Sequence, residues 1–118
     1  MTEKTYTEKF NLTGKTAIVT GGAGILGRRF CCGLAEFGAN VVVADLHFDA
    51  ASELAGHLKN TYATRTLALS CDVADQKSVQ KMVAHVVSEF GEINILHNNA
   101  AGKSEDLNAF LRPLKSIA

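Results

Sequence analysis

The chain has 118 residues, 47% of them hydrophobic and 20% charged, with twelve Lys and Arg set against twelve Asp and Glu. That length holds at most one domain with a real core, and the balanced charge excludes a field that would draw in nucleic acid or an anionic membrane. One proline and ten glycines exclude collagen-like or low-complexity chain, no apolar run approaches a membrane span, and "MTEKTYTEKF" is unlike a signal or transit peptide.

Residues 1–13 read as an N-terminal extension. Lys15 to Thr20 is β-branched and apolar and predicts a buried strand that runs into "TGGAGILG". From Ile25 to Phe37 the apolar residues Leu26, Phe30, Leu34 and Phe37 recur at helical spacing, predicting a helix with that face inward. Gly38 supplies its left-handed stop. "NVVVAD", Asn40 to Asp45, predicts a second strand. Asp49 is expected to cap a helix whose buried face is Ala51, Leu54, Ala55 and Leu58. Thr64 to Cys71 alternates and predicts a third strand. Asp75 caps a helix with Val79, Met82, Val83, Val86, Val87 and Phe90 on one face and Gly91 at its end. Ile93 to His97, "INILH", predicts the fourth strand. After Asn99 the pattern stops, and residues 102–118, interrupted by Pro113, read as an irregular segment leading into further chain.

Strands alternating with helices define an α/β protein. Right-handed crossovers then give a Rossmann-type doubly wound parallel sheet of order 3-2-1-4 over residues 14–101. The fourth strand would stand at an open edge, which is expected of a sheet truncated before its later strands.

Gly22, Gly24 and Gly27 form G-x-G-x-x-G between a predicted strand and a predicted helix, and Gly21 adds a second register at spacing three. Such a turn needs unusual dihedrals, and a Cβ would hold a pyrophosphate away from the main chain. The free N–H groups and dipole of the following helix face the negative charge. The bland reading is an ordinary tight strand–helix turn. The motif demands an acidic residue about twenty positions on, and Asp45 lies eighteen beyond Gly27. A carboxylate there accepts hydrogen bonds from ribose hydroxyls and repels a 2′-phosphate. No Lys or Arg lies within the glycine loop or directly after Asp45, so NAD is expected rather than NADP. Arg28 and Arg29 follow the loop on the first helical turn and equally well point to solvent.

"TGGAGILG", "CDVAD" and "ILHNNAA", in that order at three strand ends, resemble the short-chain dehydrogenase/reductase family, of which this looks like the N-terminal cofactor-binding half. The resemblance covers Leu12 to about Ala101. It implies that Thr20, Gly21 and Gly27 form the phosphate turn, with Gly22, Gly24, Ile25 and Leu26 completing it. It implies that Asp72 and Val73 hold the adenine and that Leu46 follows Asp45 at the ribose. Asn98, Asn99 and Ala100 match the family's Asn-Asn-Ala-Gly segment, with Ala101 replacing the usual glycine. That segment steadies the sheet and lines the cofactor cleft.

The resemblance also implies hydride transfer between nicotinamide and a small alcohol or carbonyl substrate, a cytoplasmic setting, and a homo-oligomer when complete. The family's chemistry uses a tyrosine with a lysine four residues later, a serine and an asparagine. Tyr6 is followed at that spacing by Phe10, and Tyr62 by Thr66. No catalytic residue is therefore assigned, and the 118-residue chain alone is expected to show no turnover. Gly24, where the family's commonest branch has glycine at the position of Ile25, looks more like the sugar-nucleotide epimerase branch. A half-domain of an epimerase or dehydratase and a non-catalytic nucleotide-binding module are thus the alternatives. The asparagine pair favours the dehydrogenase branch. His47, His57 and His85 show no metal spacing, and His97 reads as a structural strand-end residue. Cys31, Cys32 and Cys71 lack CxxC spacing and an even count, as expected of reduced thiols.

Overall fold

The computed structural model of the chain describes residues 3–100, so Ala101 and the segment 102–118 lie outside the described residues. Four strands, β1 (Thr16–Thr20), β2 (Asn40–Asp45), β3 (Thr66–Ser70) and β4 (Ile95–Asn98), form one sheet. All pairings are parallel and the order is β3-β2-β1-β4, as the alternation of periods predicts. The strands begin up to two residues later than their apolar runs. Thr20 pairs with both Ala44 and Asn98, so β1, β2 and β4 end together at one edge.

Successive side chains of a strand point to opposite faces, and this divides the core in two. Ala17, Val19, Val41 and Val43 face α2 (Ile25–Glu36) and α3 (Phe48–Tyr62). Ile18, Val42 and Ala44 face the other way, with Met82 and Val86 of α4 (Gln76–Phe90). Because β1 and β2 are covered on both faces, they read as unbroken apolar runs. β3 and β4, the outer strands among the described residues, are only half-buried.

The helices follow the expected pattern with three corrections. α3 buries Ala51, Leu54, Ala55 and Leu58 as the spacing predicts. Its N-cap, however, is His47, and Asp49 sits in the first turn, where its charge still meets the positive helix end. α4 is capped by Asp75, whose side chain accepts from the Lys77 N–H, and ends at Gly91 with φ of 87°. Its buried stripe narrows to Met82 and Val86, while Val83 and Val87 are exposed.

The third correction is at α2, whose buried residues are Gly27, Cys31 and Ala35, not the large apolar ones. Leu26, Phe30 and Phe37 are 64%, 39% and 49% exposed; only Leu34 of the expected face joins the core. The reason is proximity. Cys31 lies against the glycine turn, with its Sγ 3.9 Å from the Gly22 carbonyl, so this stripe admits only small side chains. Sequence periodicity also passed over α1 (Tyr6–Lys9), a single turn held by a capping box between Thr5 and Glu8. Gly38, at φ of 98°, ends α2 as expected.

Two outcomes test this packing. Cys31→Leu is expected to cost about 1–3 kcal/mol by overfilling the α2–sheet contact, whereas Leu26→Gln changes stability by less than about 0.5 kcal/mol; urea unfolding measures both. Burial, and beside it Cys32, pushes the Cys31 thiol from 9.0 up to about 12. The unfolded thiol ionises first, so this contribution is complete below pH 9.0 and is lost as pH rises towards 12. Across that window stability, read by urea denaturation, is expected to fall less steeply in Cys31→Ala.

Candidate functional site

At the end of β1 the chain must leave the sheet and turn at once into α2, and the glycines divide that task. Gly21 takes a positive φ of 63°, and a Cβ on it would stand 2.9 Å from the Ala100 Cα. A Cβ on Gly22 would lie 2.9 Å from both the Val19 carbonyl oxygen and the Val43 Cγ1. On Gly27 it would run into the Gly21 carbonyl oxygen and come within 2.9 Å of the Asn99 Nδ2. Gly24 differs, because a Cβ there would meet only the Gly21 carbonyl oxygen, at 3.3 Å. Three glycines are demanded by the protein's own atoms. The fourth lines an open cavity.

Hydrogen bonds tie three strand ends around this turn. The Thr20 hydroxyl accepts from the N–H groups of Asn99 and Ala100, both at 3.2 Å, and faces the His97 carbonyl at 3.4 Å. The Asn99 side-chain amide donates to the Gly21 carbonyl at 3.1 Å, and Gly22 N–H donates to Ala44. Asp45, 9% exposed, accepts the Ala23 N–H on one carboxylate oxygen at 3.1 Å and the His47 N–H on the other at 2.9 Å. Each oxygen retains a further lone pair.

The same residues wall a cavity of about 440 Å³ at the carboxyl ends of the strands, where the chain order reverses between β1 and β4. Of the residues expected from sequence, it brings together Gly21, Gly24, Asp45 and Leu46 on one side and Asp72, Val73, Asn99 and Ala100 on the other. Thr20, Gly22 and Gly27 stand behind that wall as scaffolding. The side chains of Ile25 and Leu26 are exposed and do not line it. Their backbone is what matters. α2 has no side-chain cap, and Arg28 N–H is the first to bond, to Gly24, which leaves the N–H groups of Ile25, Leu26 and Gly27 unused by the helix. Such an end binds anions.

Asp72 is shaped by its own loop, its Oδ1 accepting from Ala74 N–H and its N–H donating to the Ser78 hydroxyl. Sequence reasoning puts Cys71 at the cofactor edge beside Asp72 without counting it as a site residue, and it missed His47 and Ala74; the three complete the lining. All three neighbour a residue it did find, and the rule that such sites gather at carboxyl strand ends reaches them. Arg28 and Arg29 line a separate groove between α2 and α3. His97 packs edge-on against Phe30 at 4.2 Å, away from the cavity lining.

The two kinds of glycine are expected to respond differently to one methyl group. Gly27→Ala should cost about 1–3 kcal/mol in urea unfolding through overpacking. Gly24→Ala should cost under about 1 kcal/mol and weaken anion binding at the α2 terminus instead, read by titration with inorganic pyrophosphate.

Comparison with known proteins agrees with this geometry. The short chain dehydrogenase family model matches residues 15–113. Over 95 residues the chain is 39% identical to the short chain dehydrogenase/reductase dpmpG of Macrophomina phaseolina, covering 80% of this chain and 54% of that protein. It is 35% identical over 111 residues to the NAD-dependent glycerol dehydrogenase of Listeria innocua, covering 91% of this chain and 42% of that one. The crystal structure of L-sorbose reductase from Gluconobacter frateurii, complexed with NADPH and L-sorbose, superposes with a TM-score of 0.77 at 34% identity. That match covers 82% of this chain and 37% of the reductase. The chain thus spans about half, or less, of the relatives it matches. All three are dehydrogenases or reductases, which favours that branch over the epimerase one suggested by Gly24. The chain belongs to the short-chain dehydrogenase/reductase family.

Proposed function

We propose that the protein carrying this chain is an NAD-dependent oxidoreductase, and that these residues form its cofactor-binding part. The observation that carries the reading is Asp45, a carboxylate with open lone pairs on a cavity whose lining also includes Gly24, at the uncapped start of α2. A pyrophosphate suits the free N–H groups of Ile25, Leu26 and Gly27, reached across the bare Gly24. The ribose hydroxyls suit Asp45. The adenine suits the slot between Leu46 and Val73, beside Asp72. Asn99 and Ala100 hold the glycine turn and flank the path along which the cofactor extends.

When bound, nicotinamide supplies the hydride acceptor or donor for a small alcohol or carbonyl substrate. The described residues bind, orient and exclude; neither Tyr6 nor Tyr62 lines the cavity. The proton-handling groups and the surfaces through which such enzymes pair are taken to lie in other parts of the protein. Three free cysteines suit a reducing, cytoplasmic setting.

Relatives are named with either form of the cofactor, NAD for the Listeria dehydrogenase and NADPH for the sorbose reductase. Asp45 supports NAD for this chain. A 2′-phosphate would meet its carboxylate at close range, and among the described residues no Lys or Arg lines the cavity to offset that repulsion. Asp45→Ala is expected to weaken NAD binding roughly tenfold or more while leaving NADP binding unchanged or tighter. Calorimetric titration of the full-length protein with each nucleotide measures this, and equal losses for both would overturn the assignment.

A further inference from the structure

The two arginines that follow the glycine turn take no part in the strand-end cavity. They wall a second cavity, also of about 440 Å³, in the seam between α2 and α3. Arg28, Arg29 and Cys32 come from α2, and Glu53, Leu54 and His57 from α3. Arg28 and Cys32 directly follow Gly27 and Cys31 of the buried α2 stripe, while Glu53 and His57 directly precede Leu54 and Leu58 of the buried α3 stripe. Each pair therefore stacks along the border of a packed helix face, and the two borders meet across the seam. These residues lie within helices, whose backbone groups bond along the helix axis, so the groove is met by side chains. Leu54, 3% exposed, lies at the floor with the half-buried Cys32, and the exposed Arg28, Arg29, Glu53 and His57 form the rim. Two positive charges and one negative share this rim. None of its four side chains has a hydrogen bond or ion pair among the described residues.

We propose that the α2–α3 seam is a binding site for a small amino dicarboxylate, a molecule with two carboxylates and one ammonium group. Each guanidinium offers a planar fork of N–H donors that matches one carboxylate. Glu53 takes the ammonium, and the same charge disfavours a plain dicarboxylate. Leu54 and Cys32 give the aliphatic stem an apolar floor, and the His57 ring adds a hydrogen-bonding group. A phosphate would meet the same arginines but leaves Glu53 opposing it instead of paired. None of these residues lines the strand-end cavity, so binding here does not depend on the nucleotide reading.

The test is calorimetric titration of the full-length protein at one fixed pH with L-glutamate, and with glutarate and inorganic phosphate as comparators. Wild type is expected to bind L-glutamate roughly tenfold more tightly than glutarate or phosphate. Replacing both arginines, Arg28→Gln with Arg29→Gln, should weaken L-glutamate roughly tenfold or more. Glu53→Gln should remove the preference, leaving glutarate bound at least as tightly as L-glutamate. Urea unfolding of each variant at the wild-type midpoint shows that a change in binding is not a loss of fold. No binding of L-glutamate by wild type overturns the inference. So does equal affinity for all three anions, which marks an unselective cationic patch. Undiminished binding in the double arginine variant, or a preference for L-glutamate that survives in Glu53→Gln, overturns it as well.

Discussion

The structure depends on one crowded contact, the approach of the α2 backbone at Gly27 to the carbonyl of Gly21. There is no room for a side chain between them, and the Asn99 amide fills the adjoining space while donating to that same carbonyl. Because the helix starts so close to the strand it follows, it lies low over β1 and β2. Its inner stripe is then restricted to Gly27, Cys31 and Ala35. A turn that looks like a ligand-binding device is in the first place a packing solution. Gly24 alone of the four glycines has no atom nearer than 3.3 Å to the place a Cβ would take.

Electrostatics follows from that geometry. A helix without a side-chain cap exposes donors that its own chain does not satisfy, and Gly24, at that end of α2, lines the cavity. Asp45 works on both sides of the wall. Inward, it accepts from Ala23 and His47 and holds the turn to the end of β2; outward, it keeps lone pairs for a ligand. Losing that carboxylate therefore touches both shape and recognition.

The apolar surface left uncovered in the described residues gathers around β4. Leu96 is 54% exposed on one face, near Val83 of α4, and Phe30 of α2 covers His97 on the other. Strands of parallel sheets are ordinarily covered on both faces. The relatives named above are about twice the length of the matched stretch or longer.

Periodicity, caps and glycine spacing in the sequence determined the order of elements, the parallel sheet with its 3-2-1-4 order, the α3 face, the Asp75 cap and most of the cavity wall. These features are local or follow from handedness: a run of Val43-like residues, a side chain three positions from an N–H, a right-handed crossover. What only the tertiary structure decided was distance between segments far apart in the chain. The α2 face was misread because hydrophobicity favours Leu26, Phe30 and Phe37, while the gap above the sheet admits nothing larger than Cys31. The start of α3 at His47, by contrast, is a local matter, its N–H held by the Asp45 carboxylate two residues earlier. The roles of the four glycines are likewise invisible in their spacing. They are set by which carbonyl, methyl or amide from β1, β2 or the end of β4 occupies the place where each Cβ would go.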